Sequence, residues 1–326
     1  MSECETTSKI DLSNSGERRI ADEGNWSYYA HLSIYHFALS YVAEKRVLDA
    51  GCGTGYGTAY LSQSGAKTLL GCDNCSEAIA FCRTRYSEFP VHFEVVDLCK
   101  SLPYLEQCFD VIFSSNVLEH LFDIDKFLSE CRRTVAPDGI MIIAVPPIVT
   151  PLAFELNLQN VFHVTNLTPW GWHSKINRYF ENLRCFIHRA TGIFADHQRN
   201  MEEISRPLED VTIRETDFSF VETTINHLNS EENNITAVLV ASRPRNQILQ
   251  PTVDEQIPYE WFSGQIISRL IAKEREASAI EKQILLRQAA ENATDIDQLR
   301  LQVENLKHEI RRMSSQLRIA SSAIPS

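Results

Sequence analysis

Between Val47 and Gly57 the chain reads Val-Leu-Asp-Ala-Gly-Cys-Gly-Thr-Gly-Tyr-Gly, an apolar run that ends in an acid, Asp49, and enters a glycine-rich turn. Glycines let backbone approach a ligand closely, and free N–H groups at the start of the next helix favour negative charge. Asp73 follows by about twenty residues, at the end of a second β-rich run, where a carboxylate can accept hydrogen bonds from ribose hydroxyls. Asp97 follows a third run, Phe93-Glu94-Val95-Val96, and Phe109 to His120 reads as a fourth run entering a loop. Each acid alone is an ordinary strand-end residue; their joint order points to a nucleotide-like ligand. Histidine can take up a proton near neutral pH. His120, after the fourth run, and His163 are therefore the candidates for a general base. His31 and His36 stand behind them.

The elements that must position these groups follow from the hydrophobic pattern. Residues 46–245 alternate short β-rich runs with helical ones, the mark of a parallel α/β sheet. Strands are expected at Arg46–Ala50, Thr68–Asp73, Val91–Val96, Phe109–Ser114 and Ile140–Val145, with further strands near Leu183–His188 and Ile235–Ala241. Helices are expected at Leu32–Val42, Ser76–Tyr86 and Ile124–Val135. Pro137-Asp138-Gly139 signals a turn, and Thr168-Pro169 an N-cap with proline at the first helical position. Roughly forty residues form an insertion between the last two strands. Residues 1–45 form an N-terminal arm and helix, and 246–264 a linker. Over 265–321, Ile296, Leu299, Val303, Leu306, Ile310, Met313, Leu317 and Ala320 alternate spacings of three and four, a heptad seam that predicts a self-associating coiled coil.

The order of motifs from Arg46 to Val145 resembles that of class I S-adenosylmethionine-dependent methyltransferases. The resemblance implies a Rossmann-like, doubly wound, mostly parallel seven-stranded sheet with S-adenosyl-L-methionine as cofactor. It implies that the turn of Gly51, Cys52, Gly53 and Gly55 lies against the methionine part, with Asp49 before it among the cofactor-binding residues. Asp73 would bind the ribose, with Asn74 a further cofactor-binding residue, Asp97 and Leu98 would sit at the adenine, and the backbone of Ser114 and Ser115 would line the cofactor near the transferred methyl. A nicotinamide dehydrogenase usually carries G-x-G-x-x-G, whereas this chain has Gly51-Cys52-Gly53-Thr54-Gly55.

Two flanking segments, Gly16-Glu17-Arg18-Arg19 with Tyr29 to Tyr35, and Phe162 to Thr168, resemble bacterial methyltransferases of surface-polysaccharide (O-antigen type) synthesis. That resemblance implies a saccharide hydroxyl as acceptor, with Trp26, Tyr28, Tyr29, Trp170 and Trp172 available to stack on a sugar ring. Quinone-type O-methyltransferases are similar around Leu118-Glu119-His120, but their metal-binding pattern places a carboxylate where this chain has Asn116, so no metal is expected. A third reading makes the coiled coil the working part and the domain a weakly active scaffold.

Composition bounds these readings. The chain has 326 residues, 44% of them hydrophobic, with a net charge of −12. That acidity disfavours nucleic acid or an anionic lipid surface as partner. No apolar run approaches the ~20 residues needed to span a bilayer, so no direct membrane insertion is expected. The nine cysteines all lie between Cys4 and Cys185. An odd count without an apolar leader implies reduced thiols and a cytoplasmic protein. Cys72-x-x-Cys75 has no second pair at zinc-ligand spacing and reads as buried thiols.

Overall fold

The computed structural model describes residues 26–160, 162–192 and 213–251. The N-terminal arm and the expected coiled coil lie outside the described residues. The strands are β1 (Arg46–Ala50), β2 (Thr68–Asp73), β3 (His92–Val95), β4 (Phe109–Ser115), β5 (Val135–Val145), β6 (Phe180–Ala190), β7 (Phe218–Thr223) and β8 (Ala237–Pro244). The helices are α1 (Trp26–Val42), α2 (Tyr56–Leu61), α3 (Ser76–Arg85), α4 (Ile124–Thr134), α5 (Pro151–Gln159), α6 (Pro169–Asn177) and α7 (Ile225–Leu228).

The strands form one eight-stranded sheet in the order β3-β2-β1-β4-β5-β8-β6-β7. Every neighbouring pair from β3 to β5 is parallel. β8 enters antiparallel between β5 and β6, and β7 pairs antiparallel with β6 at the far edge. The architecture is thus the Rossmann-like, mostly parallel sheet expected, with eight strands rather than seven. The additional strand, β7, falls in the stretch read as an insertion. Its exposure alternates only weakly along Phe218–Thr223, and Val221 is an exposed large apolar side chain. Only Phe218 is fully buried along it, so the stretch lacks the apolar/polar alternation that marks a half-buried strand.

Two apolar layers flank the sheet. One is built on Leu48, Ile112, Phe127, Ile143, Trp172 and Phe180. The other is built on Ile34, Tyr35, Val47, Leu61, Phe113 and Ile142. Adjacent strand residues such as Val47 and Leu48 thus supply opposite faces, as a strand with period two must. Helix α1 contributes Ile34, Ala38 and Val42 with no exposure at all, so it covers the sheet. It also begins at Trp26, six residues earlier than the pattern suggested. The aromatic segment belongs to the helix because Trp26 packs edge-on against Phe218 at 5.5 Å.

Local chemistry explains most boundaries. Thr168 caps α6 as expected, its Oγ1 accepting from the Gly171 amide at 3.1 Å with Pro169 at the first turn. Thr150 and Pro151 repeat the device at α5. Helix α3 begins at Ser76 as expected, with Glu77 in its first turn, and is capped by the Cys75 sulfur, which accepts from the Ala78 amide. The expected turn at Pro137-Asp138-Gly139 lies within β5, which already pairs at Val135 with Phe109 and shifts register before Ile140. Residues 136–139 there stand opposite the single residue 110, so the ladder is interrupted where the turn was expected.

Candidate active site

Strand order reverses between β1 and β4. The chain leaves β1 toward β2 and β3, then returns to lay β4 on the other side of β1. A crevice opens at the carboxyl ends of the strands at such a switch point. Both informative segments emerge there, the glycine turn after β1 and Ser115–His120 after β4.

The glycine turn is held from below. The Gly51 and Cys52 amides both donate to the Cys72 carbonyl, at 2.8 and 2.9 Å. The Asp73 carboxylate accepts from the Gly53 amide at 3.1 Å and from the Cys75 amide at 3.0 Å. Asp73 therefore joins the turn to the end of β2. Gly51 takes φ +84°, and a Cβ there would stand 2.4 Å from Val117 Cγ2. The glycine turn thus packs directly on the segment that follows β4, and only glycine fits. At Gly53, φ is +56° and a Cβ would meet nothing within 4 Å. That position faces open space.

Beneath the turn Asp49 is fully buried; one carboxylate oxygen accepts from Thr58 Oγ1 at 2.6 Å and the other has no hydrogen-bond partner. Burial raises its pKa to about 7, against the lowering effects of the Thr58 and Tyr35 hydroxyls. Cys52 is buried and its thiol is pushed well up by burial, so it is a packing residue of the turn. Gly55 donates to the Cys52 carbonyl and opens α2.

The remaining expected residues are distributed as follows. Asn74 is exposed at the tip after β2. Asp97, after β3, accepts from the Cys99 amide at 2.9 Å and pairs with Lys100 at 3.1 Å, while Leu98 is buried in the layer beside Val96. Ser114 is buried and its hydroxyl donates to the Ala50 carbonyl at 3.0 Å, which cross-links β4 to β1. Ser115 is half-buried and accepts from Asn116 Nδ2 at 3.2 Å. Asn116 takes φ +52°, a left-handed conformation that asparagine tolerates, and reaches His31 Nδ1 at 3.3 Å. His31, ranked low from sequence, is thereby brought to the β4 loop. The helix period of α1 carries no signal for that contact.

His120 and His163, distant in sequence, meet edge to face with ring centroids 4.9 Å apart. The segment after α5 is bolted beneath them. The Thr165 amide donates to the Glu119 carbonyl at 2.9 Å, and the Thr165 hydroxyl to the Leu121 carbonyl at 3.0 Å. His120 Nδ1 lies 2.9 Å from the Phe162 carbonyl and His163 Nδ1 lies 2.6 Å from Asn157 Oδ1. Both partners are acceptors, so each Nδ1 carries a proton, which in the neutral ring leaves the lone pair on Nε2. Buried Glu119 adds a carboxylate, and ligand-capable atoms of Glu119, His120 and His163 all lie within 4.8 Å of one another. A metal-capable donor group therefore exists where the sequence reading expected none.

The aromatic residues split. Trp26 and Trp172 are core, 5% and 1% exposed, and cannot stack on a sugar. Tyr28 and Tyr29 are half-buried on α1, with Tyr28 5.2 Å from Tyr56 of α2, and Trp170 is half-buried with its Nε1 on Asn226.

Comparison with known proteins agrees with this geometry. Residues 48–143 match the model of a methyltransferase domain. A "Probable S-adenosylmethionine-dependent methyltransferase" of Mycolicibacterium smegmatis is 32% identical over 183 residues, covering 55% of this chain and 67% of that protein. A similarly named protein of Mycobacterium tuberculosis is 32% identical over 165 residues, 50% of this chain and 58% of its own length. The ubiquinone biosynthesis O-methyltransferase of Sinorhizobium fredii is 26% identical over 173 residues, 50% of this chain and 69% of that protein. Among solved structures, an S-adenosylmethionine-dependent methyltransferase of Thermotoga maritima shares the fold, with a TM-score of 0.50 at 16% identity, covering 67% of this chain and 91% of that one. The sheet, the switch point and the glycine turn define a nucleotide-binding α/β enzyme. The chain belongs to the S-adenosylmethionine-dependent methyltransferases, and S-adenosylmethionine is its cofactor.

The residues fit that cofactor. Gly53 leaves room for a ligand against the backbone, and the unpartnered Asp49 oxygen is a buried acceptor beneath the same turn. When bound, the cofactor supplies an activated methyl group. The protein's part is to orient and to manage a proton.

Proposed function

We propose that the protein methylates a hydroxyl group on a small-molecule or glycan acceptor, with a sugar hydroxyl of a growing polysaccharide as the leading substrate class. The observation that carries the hydroxyl assignment is the His120–His163 pair, whose Nε2 atoms are free of the protons fixed on Nδ1. Such a nitrogen takes the proton that a hydroxyl loses as its oxygen accepts the methyl group. The roles assigned to Asp49, Gly51, Cys52, Gly53, Gly55, Asp73, Asn74, Asp97, Leu98, Ser114 and Ser115 as cofactor contacts belong to this reading. The sugar assignment is supported by the resemblance of the Phe162–Thr168 segment to polysaccharide methyltransferases.

A phenolic acceptor is the second reading, favoured by the similarity to a ubiquinone biosynthesis O-methyltransferase over 69% of that protein's length. The working site is proposed to be cytoplasmic. No helix among the described residues is long and apolar enough to cross a membrane. The heptad seam over 265–321 is proposed to hold the chain in a homo-oligomer. The deciding experiment offers methyl-labelled cofactor with lipid-linked oligosaccharides, free sugar nucleotides and catechol-type phenols. Label in a saccharide supports the first reading and label in a phenol the second; label in neither class, with cofactor bound, overturns both.

A further inference from the structure

We infer that Glu119, His120 and His163 form a binding site for a divalent first-row transition-metal ion. The site rests on geometry alone. Only its use rests on the function proposed above: an ion held by both Nε2 atoms seats the acceptor oxygen and eases loss of its proton to solvent, taking the place of the imidazole base.

The donor set is two imidazoles and one carboxylate, with ligand-capable atoms mutually within 4.8 Å. His120 Nε2 and Glu119 Oε1 stand 4.0 Å apart, no more than twice a typical metal–ligand bond of ~2.1 Å. A rotamer-scale adjustment therefore lets all three reach one centre. The surroundings are those of a metal site. Each imidazole donates its Nδ1 proton to a fixed acceptor, His120 to the Phe162 carbonyl and His163 to Asn157 Oδ1. Such partners set the tautomer, orient the ring and raise the basicity of the nitrogen that binds metal. Asn157 is in turn engaged with Asn166, so the second of these acceptors is itself positioned.

The three donors come from two segments, Glu119 and His120 after β4 and His163 after α5. Bonds from Thr165 to the Glu119 and Leu121 carbonyls join those segments. The sequence pattern of quinone-type enzymes calls for a carboxylate at position 116. Here Asn116 turns away into a left-handed conformation and contacts His31, while His163 completes the set from another part of the chain. Two nitrogens and one oxygen favour Mn²⁺, Fe²⁺, Co²⁺ or Zn²⁺ over Mg²⁺ or Ca²⁺, which prefer all-oxygen ligands. Three protein ligands leave open positions, where a hydroxyl oxygen of the acceptor can coordinate.

The test is a titration of chelator-treated full-length protein with Mn²⁺ alone, read as loss of the free-ion signal in electron paramagnetic resonance. Mn²⁺ is chosen because thiols bind it poorly, which keeps the cysteines silent. One equivalent is expected to bind at micromolar concentration. His163→Ala and Glu119→Gln, each verified as folded by its thermal transition, should weaken binding at least tenfold. Asn157→Ala touches no ligand atom and should weaken it ~10-fold through loss of the imidazole's support. No uptake by the wild-type protein, or uptake equally strong in His163→Ala and Glu119→Gln, overturns the site. Methyl transfer that persists without any Mn²⁺ uptake overturns the site and leaves the hydroxyl reading standing.

Discussion

The Asp73 carboxylate bridges the Gly53 and Cys75 amides, at 3.1 and 3.0 Å, so one buried side chain sets the spacing between the glycine turn and the start of α3. Asp73→Ala should leave the sheet intact and loosen the turn. Charge-assisted bonds of this kind are worth ~1.5–3 kcal/mol. Cofactor affinity, measured by calorimetry, should fall by a corresponding factor of ~10–150. Unchanged affinity would remove Asp73 from the binding machinery.

Gly51 and Gly53 should respond differently to substitution. A Cβ at Gly51 meets Val117 at 2.4 Å, at a backbone angle that L-residues avoid. Gly51→Ala should therefore lower stability by ~2 kcal/mol or more, read as the urea midpoint. Gly53 faces open space, so Gly53→Arg should cost less stability, chiefly strain at its positive φ, yet abolish S-adenosylmethionine binding by filling the cleft. A Gly53→Arg protein that still binds the cofactor would place the ligand elsewhere.

Asp49, with a pKa raised to about 7 by burial, is expected to couple cofactor binding to pH. Its folded pKa lies above the unfolded value, so burying it costs nothing below about 3.8 and progressively more up to about 7. A cationic ligand nearby favours the ionised form. Affinity for S-adenosylmethionine should then fall up to ~10-fold per unit as pH drops below 7, with proton release on binding. Calorimetry in buffers of different ionisation enthalpy counts that proton. Asp49→Asn should bind more weakly and lose the pH dependence.

His188 makes the opposite kind of pH statement, about stability. It is fully buried, stacked on Phe220 at 4.6 Å, with Nε2 2.9 Å from Ser33 Oγ. Because Ser33 donates its own proton to the Ala30 carbonyl, Nε2 is the protonated nitrogen and the ring is neutral. Burial depresses its pKa from 6.5 to about 3. The stability held by the neutral ring is complete above pH 6.5 and is lost as pH falls toward about 3, at up to ~1.4 kcal/mol per unit. Denaturation curves between pH 7 and 4 should be flatter for His188→Phe; parallel curves would show that His188 is not the titrating group.

Assembly is tested by light scattering. The seam from Ile296 to Ala320 would expose an apolar stripe on an isolated helix, and pairing removes it from water at ~25 cal/mol per Å². The full chain should be oligomeric at micromolar concentration, and replacing Leu306 and Ile310 with Asp should yield a monomer that binds cofactor unchanged. A monomeric full-length chain would overturn the proposed role of the seam.

Much of the framework was legible in the residue order. An apolar run ending in Asp49 before three spaced glycines carries its own local reasons: a buried strand, a turn that needs positive φ, and a helix start. Short-range rules of that kind gave the parallel strands from Arg46 to Val145, the Thr168 cap and the glycine turn. Tertiary structure decided what depends on contacts distant in sequence. Strand β7 lies at an edge and buries only Phe218 fully, so it lacks the alternation of a half-buried strand. The bond from the Ser114 hydroxyl to the Ala50 carbonyl exists because β4 lies beside β1 only after the chain has crossed over. Trp26 and Trp172 became core because other elements close over them. The meeting of His120 with His163, and of both with Glu119, depends on Thr165 bonding to two carbonyls more than forty residues away. Spacing along a chain encodes a turn or a helix face; a donor set drawn from two loops exists only when the fold joins them.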